Sequence, residues 1–232
     1  MSSHSSTAEE QFVIYAQRLR HELNTAYTHY EIAKTLRQFR QTRRSDFSEA
    51  ITLFEVTINA NLFATVMTIN RFIDKRNDCL QLHDFFELAR KNKDLGLFST
   101  PAFKKRLADK GMSEEDIEHW AGLHVEITAK MVDEDEAKLK SVPINHLKSW
   151  RHKKLAHIDK IRALKNIDVM KANPVTVKEI DDILTTLDEI LNRYSIAYDG
   201  GQWVIGLPPV KQQMGYLMDA IKFYRQSRKE RK

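Results

Sequence analysis

Residues that interrupt regular structure are scarce in this sequence. The chain of 232 residues contains 7 glycines and 5 prolines. All-β sandwiches and barrels need many tight turns, and those turns draw heavily on glycine and proline. The scarcity therefore excludes a turn-rich β fold and predicts a helical protein.

Cysteine and long apolar runs are scarce as well. The one cysteine, Cys79, cannot form a disulfide within the chain or a paired-cysteine zinc site. No apolar run near residue 1 is long enough for a signal peptide, and no window approaches the roughly 18 apolar residues of a membrane span. We therefore expect a soluble, cytoplasmic protein with no membrane partner.

Several common catalytic motifs are missing. The sequence has no glycine-rich phosphate loop, no His-Glu-x-x-His motif and no Gly-x-Ser-x-Gly motif. The acidic run at 133–136 points in four directions on a helix, so we predict a solvated face there. His119 and His124 do not share a helical face and are interpreted as partly buried or surface residues rather than metal ligands. We accordingly expect no metal and no cofactor.

Apolar residues recur with helical spacing over most of the chain, which predicts an all-α bundle. Residues 47–73 are apolar on most sides and are expected to form its buried centre. Only 202–207 resemble a strand. We predict a bundle at 1–206, followed by a C-terminal helix and basic tail at 207–232. The predicted helices cover 7–41, 47–73, 80–92, 100–111, 113–140, 144–164, 176–198 and a segment after Pro209.

The positive charge is concentrated at the C-terminal end. The formal net charge is +5, and residues 222–232 contain six basic residues and one acidic residue. This segment therefore accounts for the whole excess. Two interpretations stay open: the tail solubilises the end of the chain, or it helps to hold a polyanion.

The predicted helix at 144–164 is the most basic part of the body. Residues 143–165 contain seven basic residues and one acid. At roughly 100° per residue, Arg151 falls in the middle of an apolar stripe formed by Ile144, Leu147, Leu155 and Ile158. An arginine cannot lose its proton, so one aimed into an apolar contact needs either a carboxylate or an anionic ligand.

The order of residues in this helix resembles a known family. Arg151-His152, followed by His157, is similar to the signature of the HEPN superfamily (higher eukaryotes and prokaryotes nucleotide-binding domains). The segments 70–74, 150–153 and 156–159 together resemble the abortive-infection U-type HEPN proteins of bacteria. The resemblance covers roughly residues 10–198.

The resemblance implies a HEPN-like helical bundle with a C-terminal helical extension, and it implies metal-independent cleavage of RNA. Arg151 and His157 would be the catalytic pair. The auxiliary and RNA-binding residues would be His146, His152, Lys153 and Lys154. It also implies a homodimer, and a toxin or phage-defence role with a possible cognate antitoxin.

Helix geometry favours a shared site as well. On an ideal helix Arg151 and His157 are separated by about 120° and about 9 Å, which is awkward for one phosphate. A composite site across a two-fold axis, with this helix near the axis, is the easier arrangement.

Alternatives to this prediction remain. Arg76-Asn77 followed by His83 also matches the signature, but this match spans a predicted loop and a helix start, so we favour the later pair. Arg151 could instead be held by a carboxylate of a neighbouring helix. The protein could also be a non-catalytic RNA- or nucleotide-binding module, or a dimeric interaction module.

Overall fold

The computed structural model describes residues 7–73, 81–91, 95–143, 147, 175–206 and 208–230. These residues form α-helices and one 3₁₀ turn at Ser48–Ala50, without a β-strand among them, so the predicted all-α class is confirmed. The helices are α1 (Ala8–Thr42), α2 (Arg44–Phe47), α3 (Ile51–Ile73), α4 (Leu82–Arg90), α5 (Thr100–Asp109), α6 (Glu114–Leu123), α7 (Ala129–Ser141), α8 (Val177–Asp199) and α9 (Val210–Glu230).

The long helix predicted at 113–140 is wrong, because the chain forms two helices there. His124 is extended, with φ −67° and ψ 135°, and it ends α6. The Thr128 side chain then accepts a hydrogen bond from the Met131 backbone N–H at 3.2 Å and caps α7. Three of the five intervening residues (124–128) are β-branched, which lowers helix propensity and favours the extended backbone.

The strand-like segment has no regular structure over residues 201–206. The Trp203 backbone N–H donates a hydrogen bond to Asn192 Oδ1 of α8 at 2.8 Å. The Asn192 side chain therefore satisfies the Trp203 N–H group, which the backbone of a neighbouring strand would satisfy in a β-sheet.

The structure divides into two compact units. The first comprises Met1–Leu23 and Asn70–Val204, and the second comprises Asn24–Ile69 and Ile205–Lys232. The boundaries fall within α1 and α3 and after α8. Each unit is thus assembled from segments that are distant in sequence.

An aromatic cluster forms the centre of the first unit. The ring centroid of Phe12 in α1 lies 5.2 Å from that of Phe85 in α4 and 5.1 Å from that of Phe98. Tyr194 of α8 packs edge-on against Phe85 at 5.0 Å. All four rings are buried. Their packing brings α1, α4 and α8 together around one core.

A polar cluster closes one side of that unit. Arg106 of α5 donates from Nε to Glu9 Oε1 at 2.9 Å and from Nη1 to the Tyr198 carbonyl at 2.8 Å. The Tyr198 hydroxyl also donates to Glu9 Oε1, at 2.9 Å. The hydrogen bond from Arg106 lowers the pKa of Glu9, and burial raises the pKa of Tyr198 to about 12.

The second unit packs α1 against one face of α3. The buried residues on this face are Phe54, Ile58, Leu62 and Val66. His29 Nδ1 of α1 lies 2.8 Å from Asn61 Oδ1 of α3 in a hydrogen bond. The opposite face of α3 exposes Leu53, Val56 and Phe63. The prediction that this helix is the enclosed centre of the bundle is therefore wrong, because only one of its two apolar faces is covered.

Residues 44–73 are more apolar than we expected, since no window of the sequence was predicted to approach a membrane span. The stretch Arg44–Ile73 is long enough to cross a membrane, and it contains an 18-residue window with a mean hydropathy of 1.4. Only length and composition indicate that this stretch could cross a membrane, and the core helix of a soluble protein meets the same criteria. That window is 28% buried, so α3 is less enclosed than a core helix would be.

Charged side chains attach α9 within the second unit. Asp46 of α2 is buried, and its Oδ2 lies 3.2 Å from Arg43 Nη2. Its Oδ1 lies 2.9 Å from Arg225 Nη2 of α9. Arg43 Nη2 also pairs with Asp219 Oδ1 of α9 at 2.8 Å. The basic C-terminal segment therefore begins within an ordered helix whose Arg225 is a structural residue.

Replacement of Asp46 tests this attachment. Asp46→Ala leaves two half-buried guanidinium groups without their shared carboxylate, so we expect a loss of about 2–3 kcal/mol in the free energy of unfolding. Asp219→Ala is the matched control, because this exposed carboxylate also pairs with Arg43 but should cost less than about 1 kcal/mol. Urea denaturation of both variants measures the difference, and equal losses would contradict the assigned role of Asp46.

The cluster around Glu9 predicts a pH dependence. Because the pKa of Glu9 is lowered in the folded state, its stabilisation is present above the ordinary pKa of about 4.5 and is lost as the pH falls through the folded value. Glu9→Gln should thus be less stable than the wild type at pH 7, by less than about 1 kcal/mol because Glu9 is exposed. The difference should shrink as the pH falls below about 4.5. Thermal unfolding across this range measures it, and a constant difference would contradict the prediction.

Candidate functional site

The residues predicted to form the site lie outside the described part of the chain. They are His146, Arg151, His152, Lys153, Lys154 and His157. The dimer axis predicted near their helix concerns the same segment. Within that predicted helix, Leu147 is the described residue. The geometry of the Arg151 and His157 pair therefore stays a prediction from the sequence.

Leu147 is firmly held in the first unit. It is helical, and none of its surface is exposed. Its carbonyl oxygen accepts a hydrogen bond from Asn70 Nδ2 of α3 at 3.3 Å, and the Asn70 side chain is itself buried, with 1% exposed. Asn70 is the first residue of 70–74, one of the segments that carry the family resemblance. The structure thus joins this segment to a position four residues before Arg151.

The alternative motif has an acidic neighbour. Arg76 and Asn77 lie outside the described residues, whereas His83 lies in the first turn of α4. Its Nδ1 is 3.7 Å from Glu136 Oε1, and half of its side chain is exposed. A carboxylate beside the imidazole repels a phosphate and favours an ion pair. His83 therefore suits a structural role better than RNA cleavage.

The acidic run at 133–136 is only partly solvated. Asp133 is exposed, but the Asp135 side chain is 2% exposed and accepts a hydrogen bond from Arg193 Nη1 at 2.7 Å. Burial raises the pKa of Asp135, and Arg193 opposes that shift. Burial beside Asp135 also raises the pKa of the Tyr194 hydroxyl. The prediction of a solvated face is wrong for Asp135, which joins α7 to α8.

Arginines neutralise the carboxylates of this run. Arg90 of α4 lies 3.0 Å from Asp133 Oδ1 and 3.1 Å from Glu136 Oε1. Among the described residues, no group of three or more histidine, cysteine, aspartate or glutamate side chains is arranged to hold a metal ion. The run therefore acts as a set of ion pairs between helices.

His124 is engaged on both ring nitrogens. Its Nδ1 lies 3.2 Å from Thr100 Oγ1 and its Nε2 lies 3.0 Å from the Ala197 carbonyl oxygen. The ring also stacks on Phe103 at 4.2 Å. His124 borders an apolar cavity of about 390 Å³, into which Arg193 also faces. With both nitrogens occupied, His124 serves to connect α5 and α8.

Sequence reasoning missed a basic groove in the second unit. It has a volume of about 890 Å³ and is lined by two acidic residues and four basic ones, the latter being Arg43, Arg44, Lys222 and Arg225. Asp46 and Asp219 hold Arg43 and Arg225 in place. The basic character of Arg43-Arg44 and of 222–232 was visible in the sequence. Their proximity depends on packing between distant segments and has no local signal.

Comparison with known proteins agrees with the resemblance. The family model HEPN_AbiU2, described as AbiU2, matches residues 9–223. The match extends beyond the range of 10–198 expected from motifs and includes much of α9. No curated protein and no solved structure matches the chain. The matched range contains the helical core, Asn70, Leu147 and the predicted pair Arg151 and His157, and the chain belongs to the AbiU2 family of HEPN proteins.

Proposed function

We propose that this protein is a metal-independent endoribonuclease that acts on RNA as a homodimer in the cytoplasm. The observation that carries the proposal is the family match over residues 9–223, because this range includes Arg151 and His157 in the signature order. From the same membership we infer a role as a toxin or phage-defence effector. A cognate antitoxin is the corresponding protein partner.

The chemistry suits these two residue types. The ribose 2′-hydroxyl attacks the adjacent phosphorus, and a histidine takes the proton from that hydroxyl as the new P–O bond forms. The bond to the 5′-oxygen then breaks, and that oxygen receives a proton. Histidine titrates near neutral pH, as such transfer requires. Arginine stabilises charge on the phosphorane through two parallel N–H donors.

The remaining predicted residues bind rather than react. Lys153 and Lys154 supply positive charge for the RNA backbone, and His146 and His152 supply further donors. The basic groove around Arg43 and Lys222 supports the interpretation of the C-terminal segment as a polyanion-binding element. RNA binding should therefore weaken as the salt concentration rises.

Asn70 has a positioning role in this proposal. Its buried amide holds the carbonyl of Leu147, which lies one helical turn before Arg151 in the helix predicted from the sequence. A fixed hydrogen bond so close to the predicted pair limits the movement of the segment that carries it. Precise placement of reacting groups is a large part of catalysis.

Cleavage in the absence of divalent metal tests the proposal. The purified protein should cut RNA in EDTA and leave 2′,3′-cyclic phosphate ends, because the internal hydroxyl needs no metal-activated water. Arg151→Ala and His157→Ala should each cost about 2–4 kcal/mol of barrier, which corresponds to a rate roughly 30- to 1000-fold lower. Gel analysis and end-group mapping measure both effects.

Arg76→Ala and His83→Ala are the controls, and they should change the rate by no more than a few-fold. If they abolish cleavage while the other two variants remain active, the wrong motif has been chosen. A requirement for metal rejects the reaction class. If the wild type binds RNA without cleaving it, and folded His157→Ala binds RNA equally tightly, the protein is a non-catalytic binding module.

Removal of the Asn70 side chain tests its positioning role. Asn70→Ala should lower the cleavage rate about tenfold, because the segment before Arg151 loses a fixed contact. Asn61→Ala is the matched control, because it also removes an inter-helix hydrogen bond from α3. Both variants should lose about 1 kcal/mol of stability. A similar change in cleavage rate for both would show that Asn70 acts only through stability.

A further inference from the structure

Helix α9 has an exposed aromatic face that no described residue covers. The exposed fractions are 63% for Tyr216, 45% for Leu217, 72% for Phe223 and 64% for Tyr224. These residues recur at three- and four-residue spacing and so share one side of the helix, together with Ala220. Gln213 and Ser227 continue the same side by one turn in each direction. We call these seven residues the α9 stripe.

The α9 stripe is separate from the face that α9 uses to fold. Val210 and Met218 are buried in the second unit, and Arg225 is held by Asp46. The stripe lies on another side and contains no charged residue. Large exposed rings in a continuous uncharged row are typical of interaction surfaces rather than of free protein surface. The first face of α9 packs within the second unit, so the α9 stripe requires a separate partner.

The position of the cations argues against RNA as that partner. Lys211, Lys222 and Lys229 lie roughly 160–180° around the helix from Ala220. A single-stranded nucleic acid that stacked on the rings would need positive charge beside them for its phosphates. One cation lies nearer, since Arg228 is one turn after Tyr224 and about 80° from Ala220, at one end of the stripe. The rest of the stripe has no adjacent cation, so its composition fits a protein surface.

The order of residues in the stripe fits a second copy of this chain. Ala220 is the smallest member and lies at the centre. Leu217 and Phe223 stand three residues before and after it, and Tyr216 and Tyr224 stand four residues before and after it. Two antiparallel copies that cross at Ala220 would place Tyr216 beside Tyr224 and Leu217 beside Phe223. The small residue allows close approach at the crossing, and the larger ones interdigitate around it.

Charge selects the antiparallel orientation. Residues 222–232 carry six basic groups and one acidic group. Parallel helices would bring two such ends together, whereas antiparallel helices separate them. The hydroxyl of Tyr216 already accepts a hydrogen bond from Gln212 Nε2 at 2.6 Å. This contact lowers the cost of burying the Tyr216 ring between two copies.

The available area is close to the lower limit for a specific interface. Three rings that are each about two-thirds exposed, with Leu217, present roughly 400–500 Å² per copy. Two copies approach the roughly 1,000 Å² that marks the lower range of specific interfaces.

We propose that the α9 stripe is the surface through which two copies of this chain associate, with antiparallel α9 helices crossing at Ala220. The inference rests on the proposed function for the homodimer and assigns a surface to it. This surface lies outside the predicted Arg151 and His157 helix. Association through α9 can be measured without RNA.

Changing one ring of the stripe in the full-length chain tests the proposal. Phe223→Glu inserts a carboxylate into the apolar contact and should weaken association roughly 30- to 1000-fold. Gln226→Glu is the matched control, since it adds the same charge to the polar side of the same helix. Light scattering and sedimentation at 1–100 μM, with α-helical content as a check of folding, should show monomers for Phe223→Glu and dimers for the control and the wild type.

Cysteine pairing tests the orientation in a Cys79→Ser background. Ala220→Cys should form a covalent dimer under mild oxidation, because Ala220 meets its own counterpart. Gln213→Cys should not, because its neighbour in the other copy is Ser227. Efficient pairing of Gln213→Cys, or failure of Ala220→Cys to pair, overturns the antiparallel crossing.

Other outcomes separate this inference from the proposed function. A wild type that is monomeric at 100 μM overturns the inference. It is overturned equally if that monomer, but not Phe223→Glu, sediments with lipid vesicles, because the stripe then binds lipid and not a second copy. A dimer that persists in Phe223→Glu overturns the α9 interface and leaves the proposed homodimer with another surface. A wild type that dimerises through α9 but does not cleave RNA in EDTA overturns the proposed function alone.

Discussion

Burial of aromatic rings is the interaction on which the first unit depends. Phe12, Phe85, Phe98 and Tyr194 come from four separate segments, and no pair of neighbouring helices could form this core alone. Charged residues join the helices around this core. Arg106 joins α5 to Glu9 of α1, and Asp135 of α7 joins Arg193 of α8. The partly exposed Arg106 and Glu9 pair adds little stability, whereas removal of one partner from the buried Asp135 contact is costly.

Helix positions could be predicted where the apolar period is long and uninterrupted. The bounds of α1 and α8 agree with the sequence to within one or two residues. The prediction was wrong at 124–128, because the charged residues on either side have helical propensity and the signals of the break, three β-branched residues and the cap at Thr128, are short and local. It was also wrong for α3. Its sequence is apolar on two faces, but a sequence pattern does not indicate which face has a covering helix.

The family and the candidate site could be predicted to different extents. The order Arg151-His152 to His157, together with the segments 70–74, 150–153 and 156–159, identified the HEPN resemblance, which the match over 9–223 confirms. The contact of Asn70 with Leu147 could not be predicted, because 77 residues separate the two and a buried amide has many possible partners. The groove around Asp46 was missed for the same reason. Long-range polar contacts depend on the packed fold, and local periodicity carries no information about them.

The discontinuous second unit has a consequence for synthesis of the chain. Its core is built from Asn24–Ile69 and Ile205–Lys232. The carboxylate of Asp46 leaves the ribosome long before Arg225 does, and it lacks this partner throughout that interval. Domains that finish locally can fold while translation continues, but this unit must wait for its last helix. A chain released before residue 225 therefore lacks the ion pair between α2 and α9, and such an incomplete unit is a substrate for chaperones and proteases.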